Sequence, residues 1–173
     1  MGRAVVNPWQ KQFYSTPDAV SIGELHARVK YYDVGGIHYF YIMNPNSKYA
    51  EKAKVSWIYF TTIEAADILK FVKPILKKIE SGKNKKLLDI FNGSTEIAEM
   101  KREDPKFWEN TKTCLLLNSV RIRVSQKTHD YNTILTLHRP QKNDKKGHFI
   151  VIRQQEIVQV VEFLEKKLGE LKN

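Results

Sequence analysis

The sequence predicts an α+β protein with antiparallel sheets, built as two tandem strand-rich repeats of ββββα type, each ending in an amphipathic helix. Three observations lead there. Runs of alternating apolar and polar residues, bounded by turn formers, read as strands. Two strand-to-helix junctions superimpose at an offset of 92 positions, Ile58 falling on Ile150. The 173 residues are 42% hydrophobic and 28% charged, a balance that folds rather than staying disordered.

Residues 1–24 contain Pro8, Pro17 and Gly23 with little periodicity, and read as an irregular arm holding at most a short strand. Residues 25–34 alternate. Ala27, Val29 and Tyr31 share one face; His26, Arg28, Lys30 and Tyr32 share the other. Gly35-Gly36 signals a hairpin turn, and residues 37–43 return as a strand. Asn44-Pro45-Asn46-Ser47 breaks it, and residues 54–60 form the next strand. Thr61-Thr62-Ile63-Glu64 reads as a capping box that opens a helix. Ile68, Leu69, Val72, Ile75, Leu76 and Ile79 make its apolar stripe, and Pro74 is expected to kink it. This first repeat spans 25–82.

Residues 83–112 read as a mostly helical insertion. The second repeat, 113–173, begins with a strand over 114–125. Val120, Ile122 and Val124 lie on one face there, with Arg121, Arg123 and Ser125 on the other. A turn at 127–130, a strand at 132–139, a basic loop at 140–147 and a strand at 148–153 follow. A helix over 154–171 closes the chain.

The two junctions match beyond one pair. Phe60 falls on Ile152, Glu64 on Glu156, Ile68 on Val160, Phe71 on Phe163 and Leu76 on Leu168. One small sheet with one helix buries little core alone; two packed together reach a stable size, so the repeats are expected to form one compact domain. Through Lys54–Gly82 and Lys146–Leu171, with the basic hairpins before each, the chain resembles the Whirly, PUR-repeat and positive-cofactor group in layout. That resemblance implies a single-stranded nucleic-acid-binding fold that assembles as a homo-oligomer, a dimer or higher.

Charge points the same way. Lys and Arg number 29 against 19 Asp and Glu, a net charge of +10. Most of the excess lies in two strand-rich segments, +3 over 25–60 and +7 over 111–153. A basic protein of this kind suggests an acidic partner, with nucleic acid the first candidate. Binding single strands needs cations along the phosphates and flat rings for unstacked bases. Arg28, Lys30 and Tyr32 share a strand face. Trp57 and Tyr59 lie opposite Ile58 and Phe60, and Tyr39 and Tyr41 alternate with Phe40 and Ile42. Arg121 and Arg123 lie opposite the apolar face of their strand, Lys127 opens the turn that follows, and Arg139, Lys142, Lys145, Lys146 and His148 surround the last hairpin. These residues form the expected site, with low sequence specificity and DNA favoured ahead of RNA.

Other chemistry finds little support. The five histidines, His26, His38, His129, His138 and His148, show no metal-binding spacing, and no glycine falls in phosphate-loop spacing. Cys114 is the single cysteine, so neither an internal disulfide nor a Cys-rich zinc site can form; inert packing is its expected role. No enzyme activity, metal or cofactor is expected. No run approaches a membrane span of ~18 apolar residues, and the N-terminal residues lack the apolar core of a signal peptide, so an intracellular protein is expected. Two alternatives remain. Asp89 with Glu99-Met100-Lys101 resembles the acidic set of a metal-dependent nuclease, and the basic face suits an interaction scaffold for an acidic protein.

Overall fold

A computed structural model describes residues 19–32, 36–44, 56–81, 108, 113–126, 132–139 and 148–171. The elements run β1 (Val20–Ile22), β2 (Leu25–Tyr32), β3 (Ile37–Asn44), β4 (Ser56–Thr61) and α1 (Thr62–Glu80). Then follow β5 (Cys114–Leu116), β6 (Arg121–Gln126), β7 (Thr133–Arg139), β8 (His148–Arg153) and α2 (Gln154–Leu171). Two four-stranded sheets result, β1-β2-β3-β4 and β5-β6-β7-β8, antiparallel throughout and each followed by a helix. The α+β repeat architecture expected from the sequence is the one observed.

Two boundaries differ from expectation. The first sheet begins inside the segment read as an arm, because Val20, Ser21 and Ile22 pair with Ala27, His26 and Leu25. The strand expected over 114–125 is two strands, broken at Leu117–Val120 and closed by a bond from the Leu117 N–H to the Val120 carbonyl (3.0 Å). Asn118-Ser119 supplies the turn chemistry, and the apolar Leu-Leu-Leu run before it masks the break. The insertion, apart from Trp108, and the 127–130 and 140–147 loops lie outside the described residues.

Strict alternation builds the core. Phe40, Ile42, Ile58 and Phe60 of the first sheet are at most 1% exposed, as are Ile122, Val124, Leu135, Ile150 and Ile152 of the second. Ile68, Val72 and Ile75 of α1 and Ile157, Val160, Val161 and Leu164 of α2 belong to the same cluster. The core is shared rather than doubled. Phe40 stacks on Phe60 within its own sheet (5.6 Å, 5°) and meets Phe163 of the second repeat's helix edge-on (6.0 Å, 88°). The helices pack on each other, and β4 approaches β7 and β8. α1 runs on through Pro74, which is exposed and cannot supply the helical N–H to the carbonyl of Lys70. Among the described residues no helix is long and apolar enough to cross a membrane.

The capping box forms as the sequence requires, and it reaches further. The Glu64 N–H donates to Thr61 Oγ1 (3.2 Å), and Glu64 Oε1 accepts from the Thr61 N–H (3.0 Å). Glu64 Oε2 then accepts from the N–H of Ser119 (2.9 Å), in the β5–β6 turn of the other repeat. The repeat-equivalent Glu156 mirrors this. Its Oε1 accepts from the Arg153 N–H (3.0 Å) and from Arg153 Nε (3.1 Å), while its carboxylate lies against Gly23 in the β1–β2 turn. Glu24 beside that turn comes within 3.8 Å of the Arg153 guanidinium. Gly23 has φ +59, and a Cβ there would collide with the Glu156 carboxylate.

Two substitutions test this lock by thermal or urea unfolding. Gly23→Ala is expected to cost about 2 kcal/mol or more, since an L side chain in the left-handed region loses about 1–2 kcal/mol before any collision. Glu64→Ala removes a cap, about 1 kcal/mol, and strands the Ser119 N–H, about 1–3 kcal/mol more. Unfolding midpoints equal to wild type in both would show that the repeats do not depend on these contacts.

Candidate nucleic-acid interface

The strand registers place the expected residues in rows on the face opposite the core. His26 pairs with Met43 and Met43 with Trp57; Arg28 pairs with Tyr41 and Tyr41 with Tyr59; Lys30 pairs with Tyr39 and Tyr39 with Thr61. Because side chains alternate, His26, Arg28, Tyr39, Tyr41, Met43, Trp57 and Tyr59 leave the sheet on one side, away from Phe40, Ile42, Ile58 and Phe60. The four rings form one continuous surface. Centroid separations are 5.8 Å for Tyr39–Tyr59, 6.0 Å for Tyr41–Tyr59, 6.1 Å for Tyr41–Trp57 and 5.7 Å for Trp57–Tyr59. All four, and Arg28 beside them, are half-buried rather than buried.

The Trp57 end of this surface is closed. Met43 is 0% exposed under Ala19, Tyr41 and Trp57. From the second repeat, the Arg139 guanidinium lies 3.7 Å over the Trp57 ring. Arg139 is the last residue of β7 and follows Leu135 and Leu137 on the core-facing side of its sheet; it is 5% exposed. A desolvated cation on an indole contributes about 2 kcal/mol, so this contact also ties the repeats together. Tyr39, Tyr41 and Tyr59, with Arg28 next to them, make up the rest of the row, each half-buried.

The second sheet differs. Arg121 and Arg123 do leave β6 on the face opposite Ile122 and Val124, as the alternation requires, but that face is covered. Arg123 is 1% exposed, so it is corrected from a solvent-facing phosphate contact to a buried cation. Burial lowers its pKa to about 10, which still leaves it charged at neutral pH. Arg121 is half-buried. In its row, Trp108 stacks on His138 (5.5 Å, 28°) and His138 on Phe149 (4.5 Å, 17°), with Trp108 and Phe149 both buried. Cys114 joins that cluster, and burial pushes its thiol pKa up, against a smaller opposing effect from its hydrogen bond with Thr113 (3.8 Å). A thiol held protonated in this way suits packing.

The backbone puts Lys30 and Tyr32 on β2 and His148 on β8. Lys127, Lys142, Lys145 and Lys146 lie outside the described residues, as do Asp89, Glu99 and Lys101 of the nuclease alternative. Among the described residues no group of three or more His, Cys, Asp or Glu side chains is placed to hold a metal ion.

One signal was in the sequence and passed unread. The registers make Tyr41 equivalent to Thr136, and hence Arg28 equivalent to Arg123. The Arg-Val pairs at 28–29 and 123–124 are thus the same position in two repeats. Loops of different length shift them out of the offset that aligns the helix junctions.

No family model and no curated protein matches the chain. Among solved structures it is similar to a chain of the Trypanosoma bruciei MRP1/MRP2 crystal structures, at 10% identity and a TM-score of 0.40, covering 100% of this chain and 97% of that one.

His26, half-buried at the edge of the aromatic face, carries a pH signature. Burial pushes its pKa below the ordinary 6.5. As pH falls through 6.5 the unfolded chain takes up a proton that the folded chain refuses, so stability declines with acidification. His26→Gln is expected to flatten the acid limb of a melting-temperature profile below pH 6.5. An acid limb identical to wild type would remove His26 as a contributor.

Proposed function

We propose that the chain is a non-enzymatic, intracellular single-stranded nucleic-acid-binding protein that uses the outer face of the first sheet. The observation that carries this reading is the unbroken surface of Tyr39, Tyr41, Trp57 and Tyr59, with ring centroids about 6 Å apart. That spacing suits successive unstacked bases. In ordinary sheets four neighbouring aromatic rings would sit under a helix or a second sheet, since their burial is strongly favourable. Here the layer packed on the helices is the opposite face.

Each residue then has a role. Tyr39, Tyr41 and Tyr59 stack bases, each stacked base contributing about 1–3 kcal/mol. Trp57 braces them from one end under Arg139. Arg28 meets phosphate from the neighbouring strand, joined by Lys30, by Lys127 and by the cations of the last hairpin, Lys142, Lys145, Lys146 and His148. Stacking accepts any base, so sequence specificity is low. Phosphate neutralisation makes affinity salt-dependent. The layout shared with Whirly and PUR-repeat proteins supports the same reading, as does the net charge of +10.

Fluorescence anisotropy with matched single-stranded and duplex oligonucleotides, DNA and RNA, across a salt series tests it. Single strands are expected to bind more tightly than duplex and to weaken steeply with salt. Tyr59→Ala and Tyr41→Ala are each expected to weaken binding about tenfold, corresponding to about 1.4 kcal/mol. Absence of binding at low salt, or tyrosine variants that bind as wild type does, would refute the proposal.

A further inference from the structure

The helix side of the first sheet carries a cavity of about 420 Å³ that the aromatic face does not use. Its walls come from β3, the first turns of α1 and the last turn of α2. Ile63, Ala66, Leu168 and Leu171 supply the apolar part of the lining. The volume falls within the range of about 300–1,000 Å³ that small-ligand sites occupy. Ile63 is 76% exposed, so an occupant would bury apolar surface that the chain leaves in water.

Three polar side chains border the same cavity: Thr62, the first residue of α1, Asp67 in its second turn, and His38 of β3. Among the described residues none of these side chains has a hydrogen bond or an ion pair. His38 is steadied by the Tyr31 ring (4.6 Å, 42°). Asp67 sets the sign of the site. The start of α1 and the end of α2 both border the cavity, so the positive end of one helix and the negative end of the other offset each other. Of the neighbouring cations, Lys70 is exposed outside the lining, and Lys167 pairs with Glu170 at 3.4 Å.

We propose that this cavity binds a small organic cation, a primary amine on a compact apolar body. A primary ammonium has three N–H donors and no acceptor. The lining offers it a carboxylate, a hydroxyl oxygen and a ring nitrogen, each able to accept. The Asp67 carboxylate makes its bond charge-assisted, and the body lies against the four aliphatic side chains. An anion is repelled by Asp67, and a neutral apolar molecule leaves the polar groups unpaired. β3 and α1 belong to the first repeat and α2 to the second, so an occupant bridges the repeats and stabilises the folded chain by mass action.

This inference does not rest on nucleic-acid binding, because the cavity and the aromatic face lie on opposite sides of the first sheet. The test is titration calorimetry and melting temperature on the full chain with four probes of similar shape: phenethylamine, its trimethylammonium analogue, phenethyl alcohol and phenylpropanoate. The primary amine is expected to bind saturably, one per chain, to raise the melting temperature, and to bind about tenfold or more tightly than the other three. Asp67→Asn is expected to bring the amine down to the affinity of the alcohol. Ala66→Phe fills the cavity from an exposed helix position without changing charge, and is expected to abolish binding of the amine; circular dichroism confirms folding of both variants. No saturable binding of the amine, an alcohol or trimethylammonium probe that binds as tightly, a preference that persists in Asp67→Asn, or Ala66→Phe binding as wild type does would each overturn the inference.

Discussion

The carboxylate of Glu64 joins the two levels on which this structure is organised. One oxygen closes the cap at Thr61; the other holds the turn at Ser119 in the opposite repeat. The cap does more than start a helix. Thr61 is both the last residue of β4 and the N-cap of α1, so the point at which strand becomes helix is fixed to one residue. That choice sets the phase of β4, because a slip of one residue sends every side chain to the other face. Ile58 and Phe60 go to the core only if Trp57 and Tyr59 go out. The aromatic surface is thus a consequence of where the helix begins.

Glu156 repeats the device from the other side, against the turn at Gly23. Glu64 thus bonds its helix start into a turn of the other sheet, while Glu156 packs its start against one, its Oε2 accepting no hydrogen bond among the described residues. A half-chain would lose this anchor along with the shared core, and a lone helix of this length is marginal in water. The two small units are consequently interdependent. Chemistry that uses residues from both, such as Arg139 over Trp57, becomes available without any added domain.

Local rules made much of this legible. The capping box, the period-two strands and the apolar helix stripes are short-range patterns, and the core residues and outward rings follow from them. Three features were not legible, each because its cause is distant in sequence. β1 is too short to show alternation and exists because Leu25–Ala27 offers it an edge. Arg123 alternates outward as Arg28 does, yet what covers a sheet face is decided by tertiary packing. The seating of Arg139 on Trp57 depends on how two sheets approach, which no spacing along the chain encodes. The Arg28–Arg123 correspondence was legible in principle, once each strand is aligned separately from the helices.

The two outer faces show how a repeat diverges. Core-facing positions are constrained in both copies by the same packing, and they stay apolar except at a strand end such as Arg139. Outward positions carry no such demand, so one copy has Tyr41 and Trp57 where the other has Thr136 and Phe149. The equivalent arginines then meet different fates: Arg28 is half-buried beside half-buried rings, while Arg123 is sealed and its charge destabilised by desolvation.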